Sequence, residues 1–264
     1  MCCPSATLAV WSSAWLHGAA ASDNALDALL AWGEAHEVVA AEQNAAEAFG
    51  LPVTGDVPAT PAQLLAALRR LGVTDALLVL PVPGDVRGLG GGGPFTEAAL
   101  RTGEAVALAG LGYGVVPQAI AEGLVRWTVY RMASVTPPEY LGIAEAEHNL
   151  TDAIRDSAGA LQALDVARDR PGVRAELSAR LKATPAPAWP AGTPGRALRV
   201  LQRAEEIGAI LALAHADEPG GALSASAANQ RADALRPLAD AVRAARRAAV
   251  NDAVRVFADQ ANRS

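Results

Sequence analysis

The sequence predicts an α+β fold. A mixed, largely antiparallel sheet with helices occupies residues 1–135, and an antiparallel helical bundle occupies residues 136–264. Three observations carry this. Short apolar runs punctuated by Gly and Pro fill the chain up to Thr136, and Ala-, Leu- and Arg-rich helical sequence fills the remainder. Val125 to Arg131 alternates strictly, with Val125, Trp127, Val129 and Arg131 on one face and Arg126, Thr128 and Tyr130 on the other, the signature of a strand with one wet face. Leu235, Leu238, Val242, Ala245, Ala249, Val250, Val254 and Phe257 repeat at near-heptad spacing over several helical turns.

Taken in order, Leu8, Trp11 and Trp15 recur at helical spacing after Pro4-Ser5, although Leu8 to Trp11 also alternates as a strand would. Ser22-Asp23-Asn24 caps a helix carrying Leu26, Leu29 and Leu30 and stopped at Gly33. His36 to Ala40 suits a short strand, and Ala41 to Phe49 a helix closed by Gly50. Thr60-Pro61 opens a helix with Leu64, Leu65, Leu68 and Leu71 as its buried stripe. Asp75 to Pro83 is a continuous apolar run and reads as a buried central strand. Phe95 to Arg101 gives one or two helical turns, and Glu104–Ala109 with Tyr113–Gln118 forms a hairpin joined at Gly110-Leu111-Gly112. Pro137-Pro138 marks the boundary. Helices follow at Glu139–Leu164, Pro171–Lys182, Pro194–Ala216 and Ser224–Gln260, with Thr184–Pro190 as a stiff extended linker. Pro237 kinks the last helix or marks its true start. The exposed Leu residues of the bundle predict that it docks on the first domain. High burial is expected at Leu68, Leu77, Val79, Trp127, Leu238, Val242 and Val254.

Bulk composition narrows the function classes. About half of the 264 residues are hydrophobic but only 4% are aromatic, so the helices pack by close backbone approach as much as by large side chains. The net charge of −6 disfavours nucleic acid and anionic lipid as partners, because phosphate neutralisation dominates both affinities. Lys182 is the only Lys, which leaves little scope for Schiff-base chemistry. The two Cys, Cys2 and Cys3, are adjacent, which excludes a disulfide scaffold and suggests free thiols in a reducing compartment. The apolar run from Leu8 to Leu16 lacks a preceding basic residue and is interrupted by Ser12 and Ser13, unlike a signal peptide. No stretch reaches the roughly 18 to 20 uninterrupted apolar residues of a membrane span. A cytoplasmic protein is expected.

Three places invite chemistry. The Gly-rich loop from Gly84 to Thr96 runs from a strand end into a helix start, where backbone N–H groups cradle anions. Asp85, Arg87, Gly90, Gly91, Gly92, Gly93 and Thr96 are its candidate ligand contacts. It is neither a P-loop, since no Lys follows, nor a dinucleotide fingerprint, since the next strands are antiparallel. Glu145 and His148, three apart on one helix, supply half of a di-metal motif, with Asp152 one turn on. No second Glu-x-x-His exists, so no metal is expected; Glu205 or His215 would have to complete such a site. His17 and His215 lie near predicted helix C-termini, where imidazolium is favoured. The last segment, Ser224 to Ser264, carries seven Arg against four Asp, with Arg243, Arg246 and Arg247 clustered, and reads as a solvated face of paired charges. There is no Gly-x-Ser-x-Gly elbow and no zinc spacing.

The run Leu77-Leu-Val-Leu-Pro-Val-Pro-Gly-Asp85, continuing through Gly93-Pro-Phe-Thr-Glu-Ala-Ala-Leu-Arg-Thr-Gly-Glu-Ala-Val106, resembles a family of uncharacterised Ala-rich proteins from high-GC, actinobacterial-type bacteria. The resemblance extends from Leu8 through Trp32 and into the bundle. It implies a cytoplasmic protein and transfers no catalytic or binding residue. The sequence therefore predicts a non-enzymatic interaction or regulatory protein, with no catalytic residue and no cofactor, whose partner is another protein or a second copy. The alternative is a small-molecule or anion-binding protein that uses the loop 84–96.

Overall fold

The computed structural model describes residues 2–134, 140–163, 172–216 and 225–261. The Pro137-Pro138 boundary, and with it Glu139, Leu164, Pro171, Ser224 and Arg263, lies outside them. The chain forms two compact units that are not sequential. The first comprises Met1–Tyr140, Ala186–Pro194 and Val250–Ser264; the second comprises Leu141–Pro185 and Gly195–Ala249.

The first unit opens with α1 (Pro4–Leu16), which is a helix and not a strand. Every residue from Ser5 to Trp15 is buried. A helix with no polar stripe belongs inside a core, and α1 packs on α2 (Ser22–Leu29) and on three strands of the sheet. Three of the hydroxyls within it are satisfied internally, whereas Ser5 Oγ is buried without a partner among the described residues. Thr7 Oγ1 accepts from Trp32 Nε1 at 2.7 Å, Ser12 donates to the Ala9 carbonyl at 3.3 Å, and Ser13 donates to the Val254 carbonyl at 3.2 Å. Ser22 is the first residue of α2 and not its cap; its hydroxyl turns to Asp23 at 3.3 Å.

Next come β1 (Ala35–Ala40), α3 (Gln43–Phe49) and α4 (Pro61–Arg70). Thr60 and Gln63 close a reciprocal cap at the start of α4, in which the Thr60 N–H donates to Gln63 Oε1 at 2.8 Å. Then follow β2 (Leu77–Val79), α5 (Pro94–Thr102), β3 (Ala105–Leu108), β4 (Tyr113–Ala121) and β5 (Leu124–Arg131). The strands form one sheet in the order β1-β5-β4-β3-β2. All neighbours are antiparallel except β1 and β5, where Val38 pairs with Trp127. One face buries Val38, Leu78, Val106, Val115 and Trp127 with α1 to α4. The other buries Val79, Ala107 and Val116 beneath Phe95 and Ala99 of α5. Gly114 makes that contact fit, since a Cβ there would lie 2.2 Å from the Phe95 ring.

The run at residues 75–83 is not a central strand. β2 is an edge, and Leu77 is half-buried. Its apolar character serves helices instead. Asn251, from the end of the last helix, accepts from the Leu78 N–H at 2.8 Å and donates to the Leu78 carbonyl at 3.2 Å. One buried amide thus stands in for a sixth strand. The opposite edge is closed by loop 52–59. Val38 and Ala59 exchange backbone hydrogen bonds at 2.8 and 2.9 Å, and Ala40 donates to Pro52 at 2.8 Å. The predicted linker 184–190 is also more than a spacer. Trp189 packs on the core of the first unit, and the Ala188 carbonyl accepts from Trp11 Nε1 at 3.0 Å.

The second unit contains α6 (Ile143–Ala163), α7 (Val173–Ala183), α8 (Gly195–Ala216) and the part of α9 (Ala225–Ala261) that precedes Val250. Pro237 lies inside α9 and does not mark its start. The core of this unit includes Leu150, Val200, Leu201, Leu211, Leu235, Leu238 and Val242, interleaved with Ala204 and Ala245. Arg246 of α9 pairs with Glu205 of α8 at 3.0 Å, and its guanidinium lies across Gly208, where a Cβ would meet it at 2.3 Å.

Candidate functional site

The Gly-rich loop is pinned at four points. Val82 and Asp85 exchange backbone hydrogen bonds at 3.1 and 2.9 Å, closing its first turn. Leu89 is fully buried beside Phe95 and Met132. Gly90 sits at φ +70° against the irregular segment that follows β5; a Cβ there would lie 2.0 Å from the Ser134 carbonyl oxygen, and Ser134 Oγ donates to the Gly90 carbonyl at 2.7 Å. Thr96 Oγ1 donates back to the Gly91 carbonyl, which fixes the loop onto the first turn of α5.

The loop borders a cleft of about 340 Å³ at the N-terminus of α5. Of the seven residues singled out in the sequence, Gly92 and Gly93 line it. Asp85 and Arg87 pair with one another at 2.8 Å outside that lining. Gly90, Gly91 and Thr96 build the loop rather than the cleft wall. The remaining wall is mostly apolar and includes Pro94, Tyr130, Arg131 and Glu42. The last three were not picked out by sequence reasoning. Arg131 ends β5 and emerges at the strand terminus, exposed, so its face in the alternation says nothing about its neighbours. Chemically the cleft offers one guanidinium with a carboxylate on the same rim, beside a helix start whose first residue, Pro94, brings no N–H.

The other candidates are dispersed. His148 pairs with Asp152 at 3.1 Å on an exposed face, and Asp152 also takes Arg155 at 2.9 Å. Glu205 is turned to Arg246. Among the described residues no group of three His, Cys, Asp or Glu side chains is placed to hold a metal ion. His17 is the C-terminal cap residue of α1, and its ring meets the Thr74 carbonyl at 3.0 Å; His215 bonds the Leu211 carbonyl at 2.7 Å. In the Arg cluster, Arg243 pairs with Asp240 at 3.0 Å and Arg246 with Glu205, and Arg247 is also engaged. Among the described residues no helix is long and apolar enough to cross a membrane.

Comparison with known proteins gives two matches that together span most of the chain. Residues 5–140 match the model of the Rv1486c-like protein N-terminal domain, and residues 144–247 match that of its C-terminal domain. The chain belongs to the Rv1486c-like family. It is 38% identical over 244 residues to the uncharacterized protein Rv1486c of Mycobacterium tuberculosis (strain ATCC 25618 / H37Rv), covering 81% of this chain and 83% of that one. It is 34% identical over 253 residues to the uncharacterized protein ML1804 of Mycobacterium leprae, covering 81% and 85% respectively. No solved structure matches. The matched relatives are mycobacterial, in keeping with the high-GC family that the sequence resembles. The Rv1486c-like N-terminal domain match stops at residue 140, whereas the compact unit it describes also takes in residues 186–194 and 250–264.

Proposed function

We propose that this chain is a non-enzymatic interaction protein whose helical unit assembles with a second copy of itself through α6 and α7. The observation that carries this is the poor burial of these helices within one chain. None of the 11 residues of α7 is buried, and α6 buries only Ala146, Leu150 and Ser157 of its 21. A helix as short as α7 is marginal in water without tertiary packing. Charge favours self-pairing. α6 carries Glu145, Glu147, Asp152 and Asp156 against Arg155, while α7 carries Arg174, Arg180 and Lys182 against Glu176. An isologous dimer that sets α6 of one copy on α7 of the other joins these opposite charges twice.

Sedimentation across a wide concentration range tests this. The expected result is a reversible dimer that the double substitution Arg180→Glu, Lys182→Glu dissociates. A monomer at every concentration, or a dimer indifferent to the charge reversal, overturns it. A second reading rests on Arg131, which makes no ion pair among the described residues and stands on the rim of the cleft at the start of α5. That placement favours a small anionic ligand. Thermal shift with inorganic phosphate and small carboxylates, lost in Arg131→Ala, is its test; no shift with any of them refutes it.

A further inference from the structure

The cleft beside Arg131 and Glu42 exists because two strands part there. β1 and β5 are the parallel pair of the sheet, so their carboxyl ends lie side by side. The Ala41 N–H donates to the Val129 carbonyl at 2.9 Å, just past the last registered pair, Ala40 with Val129. Beyond that bond Glu42 is the residue before α3, and the first chain leaves with that helix. The second chain turns the other way. The Met132 N–H donates to the Gly112 carbonyl at 2.8 Å, and Ser134 then holds the Gly-rich loop at Gly90. Parallel strands whose continuations diverge at their carboxyl ends leave a crevice between them, and such crevices are where ligands are held. The cleft of about 340 Å³ lies at this divergence.

Its rim carries two opposite charges that do not meet. Ala40 is in register with Val129, so Glu42 and Arg131 each stand two residues further along adjacent chains. Among the described residues neither side chain makes an ion pair or a hydrogen bond, with the other or with a third group. The wall behind them is apolar and fixed. Phe95 and Met132 are buried, Phe95 is seated against Gly114, and the Phe95 and Tyr130 rings lie 6.4 Å apart.

We infer that the cleft takes a small zwitterion, an α-amino acid with an apolar side chain. This rests on the reading of the cleft as an anion site and supplies the other half of its ligand. Arg131 presents a planar fork of donors to the α-carboxylate. Glu42 accepts from the α-ammonium, and the Tyr130 ring in the same wall attracts the same cation. The side chain lies against Phe95, Pro94 and Met132. A simple anion would satisfy Arg131 but bring its charge close to the Glu42 carboxylate, which disfavours it. A simple amine has the converse fault at Arg131. A ligand with both charges on one carbon answers both. Ligand pockets run from roughly 300 to 1,000 Å³, so this cleft is at the small end and suits a molecule of amino-acid size.

The test is calorimetric titration of the full-length protein with three probes on one skeleton: L-phenylalanine, 3-phenylpropionate, which lacks the ammonium, and 2-phenylethylamine, which lacks the carboxylate. Inorganic phosphate is titrated alongside as a plain anion. L-phenylalanine should bind about tenfold more tightly than any of the other three. The Glu42 side chain makes no cap bond to α3, so Glu42→Gln leaves that helix as it was. It should weaken L-phenylalanine by about tenfold and leave 3-phenylpropionate unchanged. Arg131→Ala should abolish binding of both. Phosphate or 3-phenylpropionate bound as tightly as L-phenylalanine, or a Glu42→Gln protein with parent affinity for L-phenylalanine, overturns the zwitterion and leaves the anion site standing. Absence of heat with all four probes removes both.

Discussion

His36 shows how one side chain carries pH dependence into the fold. Its Nδ1 accepts from Trp127 Nε1 at 3.0 Å, so the remaining proton sits on Nε2 and is donated to the Gly33 carbonyl at 3.1 Å. The neutral ring is fully satisfied. Burial pushes its pKa below the ordinary 6.5, against the opposing pull of carbonyls at Leu29 and Gly33. The unfolded chain therefore takes up this proton first as pH falls. The contribution of His36 is complete above the unfolded pKa and is lost as pH drops from there toward the folded one. Urea unfolding should give a lower midpoint at about pH 5.5 than at about pH 7.5, and His36→Asn should narrow that difference. Glu104 has the opposite sign. Burial raises its pKa above 4.5, so the folded state prefers the protonated form. Its stability contribution is present below the unfolded value and is lost as pH rises through the folded one. Glu104→Gln should therefore raise the denaturation midpoint near pH 7, with the gain vanishing toward about pH 4.

At the scale of elements, the decisive contacts are those that close the sheet. Replacing Asn251 by Leu strands the Leu78 N–H and carbonyl in a buried seam. Each unpaired group costs on the order of 1–3 kcal/mol, so a loss of about 3 kcal/mol in denaturant unfolding is expected. A loss below about 1 kcal/mol would mean that the amide is not closing the edge. The glycine loop gives a second contrast. Gly90→Ala forces a Cβ onto the Ser134 carbonyl at positive φ, whereas a Cβ on Gly92 meets open space. The first should destabilise by about 2 kcal/mol and the second by less than about 0.5 kcal/mol, read as paired melting curves. These elements also mark what was legible in the sequence. Helix α4 was readable from Thr60-Pro61 and its Leu stripe, because its cap and buried face are both local. The β3–β4 hairpin was readable from its turn glycines. The edge position of β2 was not, since a continuous apolar run looks the same whether strands or helices cover it, and the covering residue lies 173 positions away. Nor could a string of glycines reveal which one is demanded by contact with Ser134 and which ones face the cleft. Arg131, Tyr130 and Glu42 converge there only through the parallel pairing of β1 with β5, and no local pattern announces that crossover.

At the scale of the whole molecule, the main discrepancy is between how the chain divides in sequence and how it divides in space. The texture change near Thr136 suggests a cut after residue 135, and the N-terminal family match ends at residue 140. The first unit has no complete core at that point. It still lacks Trp189 and the Ala188 carbonyl that receives Trp11. It also lacks Asn251, Val254 and Phe257 from the end of α9, which lie in the same core as α1 and β2. Removing Phe257 and Val254 alone exposes buried apolar surface on the order of several kcal/mol, comparable to the net stability of a domain this size. A fragment of residues 1–140 should therefore fail to fold cooperatively, with a collapsed amide spectrum and no near-ultraviolet Trp signal. Truncation after residue 249 separates this effect from loss of the bundle, because it keeps the residues of the second unit intact and removes only the segment that belongs to the first. It should abolish the tertiary signals of Trp11, Trp15 and Trp127 while leaving the helical far-ultraviolet signal largely in place. A 1–140 fragment that melts sharply at the midpoint of the full chain would show that the later segments are accessories to a self-sufficient domain. The closure of the β2 edge by Asn251 argues for the opposite: the last turns of α9 complete the first fold, so the N-terminal unit cannot finish folding until the C-terminus has been made.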